Sequence, residues 1–322
     1  NDAGYRPFDP SLLKLYVDGY RHIIQSLQSA LPGVRITLLT APAFDDVSRK
    51  PAFPGGYNGV LEAYGEEVKR LGAQYGLPVA DTNAPLVGML SEIVALEPAS
   101  ATHIIPDRVH PGPAGHLVMA AAVLKAWNAP TAGTEIDLNA ASPAVTATGA
   151  QVREVRPSNG GIAFSYKLGT VPWPFDRDPS ANPYAASVLR LTHIERDLNR
   201  YVLRVTGLSG ATSGYRLMVD GSDVGHFSEA QLSAGIDLAE LAGLPDNVQS
   251  QKLLAAARRH NDIHYRRWRQ VQVPTAGSGT AVSPAVQAQM DRLDAADEKA
   301  YLQERSDAPT AWHHADLTAA AG

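Results

Sequence analysis

Ile105-Pro106-Asp107-Arg108-Val109-His110-Pro111-Gly112-Pro113-Ala114-Gly115-His116 is the stretch that decides the fold of this chain. It sets a carboxylate and an imidazole three residues apart on a segment rich in Pro and Gly, and so on a loop. On a tight loop Asp107 and His110 can meet without help from distant chain. Pro106, Pro111 and Pro113 restrict that loop and lower the entropy lost in holding it. An imidazole held in this way can take a proton from a hydroxyl and return it to a leaving group. The carboxylate fixes its tautomer and stabilises the imidazolium. The bare pattern Asp-x-x-His also describes a solvated loop ion pair, so the surroundings must decide between the two.

Outward from this loop the chain alternates helices and strands. Pro113 sits where a helix tolerates proline, and a helix is expected from there to about Trp127. Upstream, Ser11 is a candidate N-cap, followed by Leu12, Leu15, Tyr16, Ile23, Leu27 and Leu31 at roughly helical spacing. Arg35 to Thr40 is a β-branched, apolar run of buried-strand type, and a Pro- and Gly-rich loop follows from Pro42 to Gly59. A second amphipathic helix, Gly59 to Tyr75, carries Leu61, Tyr64, Val68 and Leu71 on one face and is closed by Gly76. Leu77 to Asp81 reads as a second strand and Leu86 to Leu96 as a helix. This order implies an α/β domain with a parallel sheet covered by helices. Two strands alone would leave the sheet poorly covered, so the domain is expected to be incomplete at its N-terminal side.

The run Asp-x-x-His-Pro-Gly-Pro-x-Gly-His, entering a helix after that alternation, resembles the last conserved block of the SGNH (GDSL-like) hydrolases. Asn1-Asp2 resembles the end of the family's third block, Gly-x-Asn-Asp. The resemblance covers about Asn1 to Trp127. It implies a three-layer α/β/α parallel-sheet domain, SGNH/flavodoxin-like, and a serine esterase working through an acyl-serine intermediate. Asp107 would orient the imidazole, His110 would act as base and then acid, and Asn1 would donate to the oxyanion hole. Asp2 and His116 would support the site, with His116 also readable as a packed surface histidine. The family's nucleophile and its oxyanion-hole glycine belong to blocks that precede Asn1. None of Ser11, Ser48 and Ser91 has the nucleophile's setting, so the chain is expected to be a fragment, inactive alone. No cofactor is implied.

The expected domains are 1–130 for the partial hydrolase, 144–245 for a β-rich accessory module, 246–308 for a helical segment and 309–322 for a frayed tail. Small residues with Pro and Gly from Asn128 to Pro143 suggest a linker. Gly161–Tyr166, Ser187–Ile194, Tyr201–Thr206 and Tyr215–Val219 read as β runs of a small antiparallel module. Asp220-Gly221 would turn the last of them into a hairpin. Helices are expected over Val248–Val271 and Pro284–Glu304.

With 322 residues the chain is long enough for two domains, and 44% hydrophobic against 19% charged residues provides a core. A formal net charge of −5 disfavours a nucleic-acid binder, the run Arg266-Arg267-Trp268-Arg269 being the local exception. That run also reads as decoration of a helix face or as partners for acidic neighbours. The absence of cysteine excludes disulfides and thiolate chemistry. The best apolar stretch, Leu117 to Trp127, is shorter than the ~20 residues a membrane span requires. His260 and His264, four apart on a helix, could share a metal, but they are crowded by Arg258, Arg259, Arg266 and Arg267. Trp173, Phe175 and Tyr184 could stack on a sugar ring or pack on the β module. The resemblance implies a small-molecule or carbohydrate ester as substrate, the aromatic loop fitting the latter, and a periplasmic or extracellular parent protein. The competing class is a non-catalytic binding or scaffold protein that uses the β module and the C-terminal helices.

Overall fold

Asp9 opens the first helix, α1 (Pro10–Ala30), its carboxylate accepting the Ser11 N–H at 2.9 Å. Ser11, expected as the cap, lies inside the helix, because Pro10 with its preset φ already occupies the first turn. The computed structural model describes residues 3–129, 133–142, 144–175, 180, 182–276 and 282–320. They divide into two units, Asn1–Thr131 with Phe175–Leu198, and Ala132–Pro174 with Asn199–Gly322.

In the first unit, β1 (Leu38–Leu39) pairs parallel with β2 (Val79–Ala80). Both are shorter than the apolar runs that contain them. Between them α2 (Gly56–Tyr75) ends on Gly76 in the left-handed conformation expected of a C-terminal glycine (φ 64°). α3 (Ala84–Leu96), α4 (Pro98–Ile104) and α5 (Pro113–Ala126) follow. Tyr64, Val68 and Leu71 of α2 are buried as their spacing predicts, with Ile24 and Leu38 packed beside Val68 and Leu71. The inward face of α1 is Leu13, Tyr16, Val17 and Tyr20, partly buried, with Ile24 buried; it shares Tyr16 with the expected face and is otherwise rotated from it. Leu15, Ile23 and Leu31, by contrast, are 69%, 58% and 54% exposed.

Two further helices complete this unit, α6 (Ala185–Leu191) and α7 (Ile194–Leu198), which pack on α3 and α5. Ser187–Ile194 is therefore helical at its start and not a β run. Ala185, Val188 and Leu189 are the buried residues, a helical i, i+3, i+4 pattern. Ser187 Oγ donates to Glu97 Oε2 at 2.7 Å, Arg190 also pairs with Glu97, and Lys125 Nζ meets Asp197 Oδ2 at 2.7 Å.

The second unit is a two-sheet sandwich. One sheet runs β10-β7-β3-β4, from β3 (Thr134–Asn139), β4 (Val145–Thr148), β7 (Tyr201–Thr206) and β10 (Ile236–Asp237). The other runs β5-β6-β11-β8-β9, from β5 (Ala150–Ser158), β6 (Gly161–Leu168), β8 (Tyr215–Val219), β9 (Ser222–Phe227) and β11 (His313–Ala319). Ile136, Leu138, Leu203 and Val205 from one sheet meet Ile162, Phe164, Leu217 and Leu317 from the other in a single core. The β8–β9 hairpin turns at Asp220-Gly221, both with positive φ as the sequence predicts.

The unit departs from expectation in several ways. β3 lies within the supposed linker, because Thr134, Ile136 and Leu138 alternate inward with period two. It pairs parallel with β7, so the module is not wholly antiparallel. β11, placed in the supposed frayed tail, is the central strand of its sheet, paired with both β6 and β8. The helices belong to this same unit: α8 (Glu229–Ala234), α9 (Pro245–Tyr265), α10 (Val273–Ala276) and α11 (Pro284–Asp307). α9 runs on through a π-helical stretch, Arg266–Gln272, into α10.

Candidate active site

The loop between α4 and α5 is closed at its base by Gly112 N–H donating to the Ile104 carbonyl at 2.8 Å. α5 begins immediately after, with Pro113 in its first turn. Gly115 lets that turn lie close to the loop, since a Cβ there would stand 2.8 Å from Pro111 Cβ and 3.6 Å from Leu86 of α3. The glycine at position 115 is thus a matter of close packing at the foot of the loop.

At the tip, His110 Nδ1 and Asp107 Oδ2 are 2.6 Å apart. Asp107 Oδ1 accepts the backbone N–H groups of Val109 and His110 at 2.9 and 2.8 Å. The carboxylate is therefore held by one side chain and two amides, and together they keep its pKa well below the usual carboxylate range, the His110 ring being the largest cause. With Nδ1 bound to Asp107, Nε2 is the nitrogen left to exchange a proton. The side chains are 81% exposed for His110 and 57% for Asp107.

Arg108, between them, has φ 72°. A non-glycine residue in that region is strained by roughly 1–3 kcal/mol. Its backbone and side chain are both fastened to the 42–50 loop. The Asp45 N–H donates to the Arg108 carbonyl at 2.9 Å, and Arg108 Nε donates to the Asp45 carbonyl at 3.1 Å. Arg108 Nη2 reaches Asp46 Oδ1 at 2.6 Å and the Lys50 carbonyl at 3.2 Å, and the guanidinium lies 4.9 Å from the Phe44 ring centroid. A second arginine secures the approach to the dyad: Arg49 donates to the carbonyls of Thr102, Ile105 and Pro106 at 2.8, 3.0 and 2.9 Å, and pairs with the fully buried Asp45. Asp45, Asp46, Arg49 and Arg108 were not singled out from the sequence. The adjacent Asp45-Asp46, with Arg49 four residues on, was the available signal, but it lay in a stretch read as irregular loop.

Asn1 and Asp2 lie outside the described residues. Ala3 is buried against Tyr57, Val60 and Tyr64, and the Tyr5 ring lies 4.9 Å from Tyr57 and 6.1 Å from Phe44. His116 is exposed on the first turn of α5, and among the described residues no hydrogen bond joins its ring to Asp107 or His110. No serine among the described residues hydrogen-bonds His110. Ser11 Oγ is engaged with Asp9 at 2.6 Å, Ser48 with Asp45, and Ser91 with the Val87 carbonyl at 2.9 Å. An apolar cleft of about 390 Å³, lined by Pro7, Phe8, Phe53, Pro54 and Gly56 among others, abuts the Asp46 carboxylate through Gly56.

The other singled-out residues serve packing or pairing. Phe175 is buried and Tyr184 stacks on His103 with centroids 5.4 Å apart. The Trp173 N–H donates to Asn199 Oδ1 at 2.6 Å. His260 faces two carboxylates of α11, with Nε2 3.3 Å from Asp297 and Nδ1 3.1 Å from Glu304, and His264 lies 4.0 Å from Asp297. One imidazole so shared bridges the helices, and among the described residues no group of three or more metal-ligand types is arranged to hold an ion. Arg267 is paired with Asp294 of α11 at 2.7 and 3.1 Å. Among the described residues no helix is long and apolar enough to cross a membrane.

No protein-family model matches the chain, and no curated protein matches it. Among solved structures, a gut microbial diltiazem-metabolizing enzyme is similar with a TM-score of 0.79 at 20% sequence identity, over 99% of this chain and 82% of that one. At such identity the likeness is one of fold, a mixed α/β architecture. A mutant acetyl-xylooligosaccharide esterase from Geobacillus Stearmophilus matches at a TM-score of 0.29 and 25% identity, over 39% of this chain and 54% of that one, too slight an overlap to bear on the fold.

Proposed function

We propose that the first unit is the dyad-bearing part of an SGNH-type serine esterase, in which His110 is the general base and then acid and Asp107 orients it. The observation that carries this reading is the 2.6 Å contact between Asp107 and His110 Nδ1, which leaves Nε2 as the proton-transferring nitrogen. A serine hydroxyl supplied by residues outside this sequence would be deprotonated by Nε2 as it attacks the acyl carbonyl. The same proton would then pass to the leaving alcohol, and water would release the acyl group by the reverse sequence. On this reading the chain alone would not turn over ester. Asn1 would donate to the developing oxyanion, with Asp2 beside it. The packing of Tyr5 on Phe44, the ring that also lies under Arg108, supports bringing the start of the chain to the dyad loop.

The sheet that carries this site would be completed into a three-layer α/β/α arrangement by strands outside this sequence. The exposed apolar residues Leu15 and Ile23 on α1 and Leu31 just past its end, with Leu39 exposed on β1, support that reading, since such a surface is normally covered. The likeness in fold to an enzyme that metabolizes diltiazem supports a small-molecule substrate. A carbohydrate ester is the alternative, and export of the parent protein to the periplasm or cell exterior goes with it. The test is hydrolysis of p-nitrophenyl acetate by the chain joined to its upstream sequence. Activity should be present there and absent from the 322-residue chain, and His110→Ala should abolish it. Unchanged turnover in His110→Ala would refute the assignment of the base.

A further inference from the structure

We propose that Arg108 and Asp46 are positioning residues for the dyad, the guanidinium clamped on Asp46 holding the left-handed turn that keeps Asp107 and His110 together. The inference rests on the reading of that pair as a general-base dyad.

Four residues must fold so that the first and the last meet through their side chains while the carboxylate also collects two backbone N–H groups. That geometry is obtained with Arg108 at φ 72°, the one non-glycine residue of the loop with positive φ. A left-handed residue turns its side chain away from those of its neighbours. Accordingly, Asp107 and His110 project to solvent while the Arg108 side chain is 27% exposed and Asp46 only 8%. Nothing intrinsic to arginine favours this backbone, so its contacts hold it there: backbone bonds to Asp45 and Ile105, and a side chain bonded to Asp45, Asp46 and Lys50.

Asp46 is itself fixed. Its Oδ2 accepts the Asn58 N–H of the first turn of α2 at 2.9 Å, while Oδ1 takes Arg108 Nη2. Gly56 makes room for it, because a Cβ at that position would stand 2.5 Å from Oδ2. The dyad is thereby tied to the start of a 20-residue helix far from it in sequence. The fork of Arg108 also meets the Asp45 and Lys50 carbonyls, which a single ammonium could not reproduce. Arg49 plays a different part, since its bonds fasten the residues leading into the dyad and not the left-handed turn within it.

The test reads the His110 ring by ¹H–¹⁵N NMR in the 322-residue chain, with turnover measured in the protein that carries its nucleophile. Arg108→Gly permits the left-handed angle but no longer holds it, Asp46→Asn keeps the shape and removes the charge, and Arg108→Lys keeps charge without the fork. In the parent chain the Nδ1 proton, bonded to Asp107, should exchange more slowly than that of a free imidazole. Arg108→Gly and Asp46→Asn should each speed that exchange by about tenfold or more, and the double variant should add little, because both break one contact. Arg108→Lys should fall between. In the esterase, kcat should drop by about 10–100-fold with KM little changed. Folded variants whose ring exchanges as in the parent would overturn the clamp, and should Arg108→Gly fail to fold, the exchange rate in Asp46→Asn decides. Accelerated exchange in a protein without esterase activity would leave the clamp standing and remove the esterase reading. Turnover lost in His110→Ala but untouched in Arg108→Gly would do the reverse.

Discussion

His110 can act as a base with a fixed tautomer only while Asp107 is ionised, and the bonds that shape the loop also keep it so. The His110 ring, then the His110 and Val109 amides, hold the Asp107 carboxyl below its ordinary range. A depressed carboxyl contributes its stabilisation above the unfolded value, and that contribution is lost only as pH falls through the depressed one. The Asp107–His110 contact should therefore persist from neutrality down past about pH 4, where a free aspartate would be half protonated. NMR of the ring across that range checks this, and loss of the contact well above it would contradict the assignment. In the proposed esterase, joined to its upstream sequence, Asp107→Asn should lower kcat by about 10⁴-fold with KM little altered, through the wrong tautomer. At this scale Asp107 and His110 were legible because both sit within one short segment. Arg108, Asp46 and Arg49 were not, because what matters in them is a backbone angle and contacts made across the 42–50 loop, neither of which has a local sequence pattern.

Among the elements, α5 depends on the absence of a side chain at its first turn. Gly115→Ala should destabilise the first unit by about 1–3 kcal/mol, the usual range for overpacking, since the added carbon meets Pro111 and Leu86. Urea denaturation measures this, and a neutral result would mean that Pro111 moves aside freely. In the second unit, α9 begins with a buried aspartate. Asp246 is fully buried, accepts from Tyr166 Oη at 2.9 Å through Oδ2, and has Oδ1 3.7 Å from His313 Nε2. Burial is the largest influence on it and pushes its pKa up. A carboxyl raised on folding loses stability as pH climbs from the unfolded value through the raised one. Asp246→Asn should therefore stabilise the unit more at neutral pH than near the unfolded value of about pH 4. Equal effects at the two would show that the charge is already compensated by His313. Helical and strand periods were legible where several large apolar residues recur, as in α2. They failed in α6, where Ser187–Ile194 reads as a short β run until the burial of Ala185, Val188 and Leu189 is known.

For the whole molecule, the last residues carry more weight than their composition suggests. β11 lies between β6 and β8, with Ala315 and Leu317 at 1% and 0% exposure, so a chain ending after Asp307 should lose the second unit's cooperative unfolding. Leu317→Ala alone should cost about 2–5 kcal/mol in chemical denaturation, and a loss below about 1 kcal/mol would place the strand outside the core. The Asp107–His110 loop, the α/β alternation around it and the Asp220-Gly221 hairpin were determined by the sequence alone, because each depends on residues close together in the chain. The tertiary structure alone decided that residues 175–198 belong with the first unit, that 313–319 are a central strand, and that the 42–50 loop holds the dyad. Those outcomes rest on contacts between residues dozens to well over a hundred positions apart. Burial and hydrogen bonding across such distances select one arrangement among many that the same local patterns would allow.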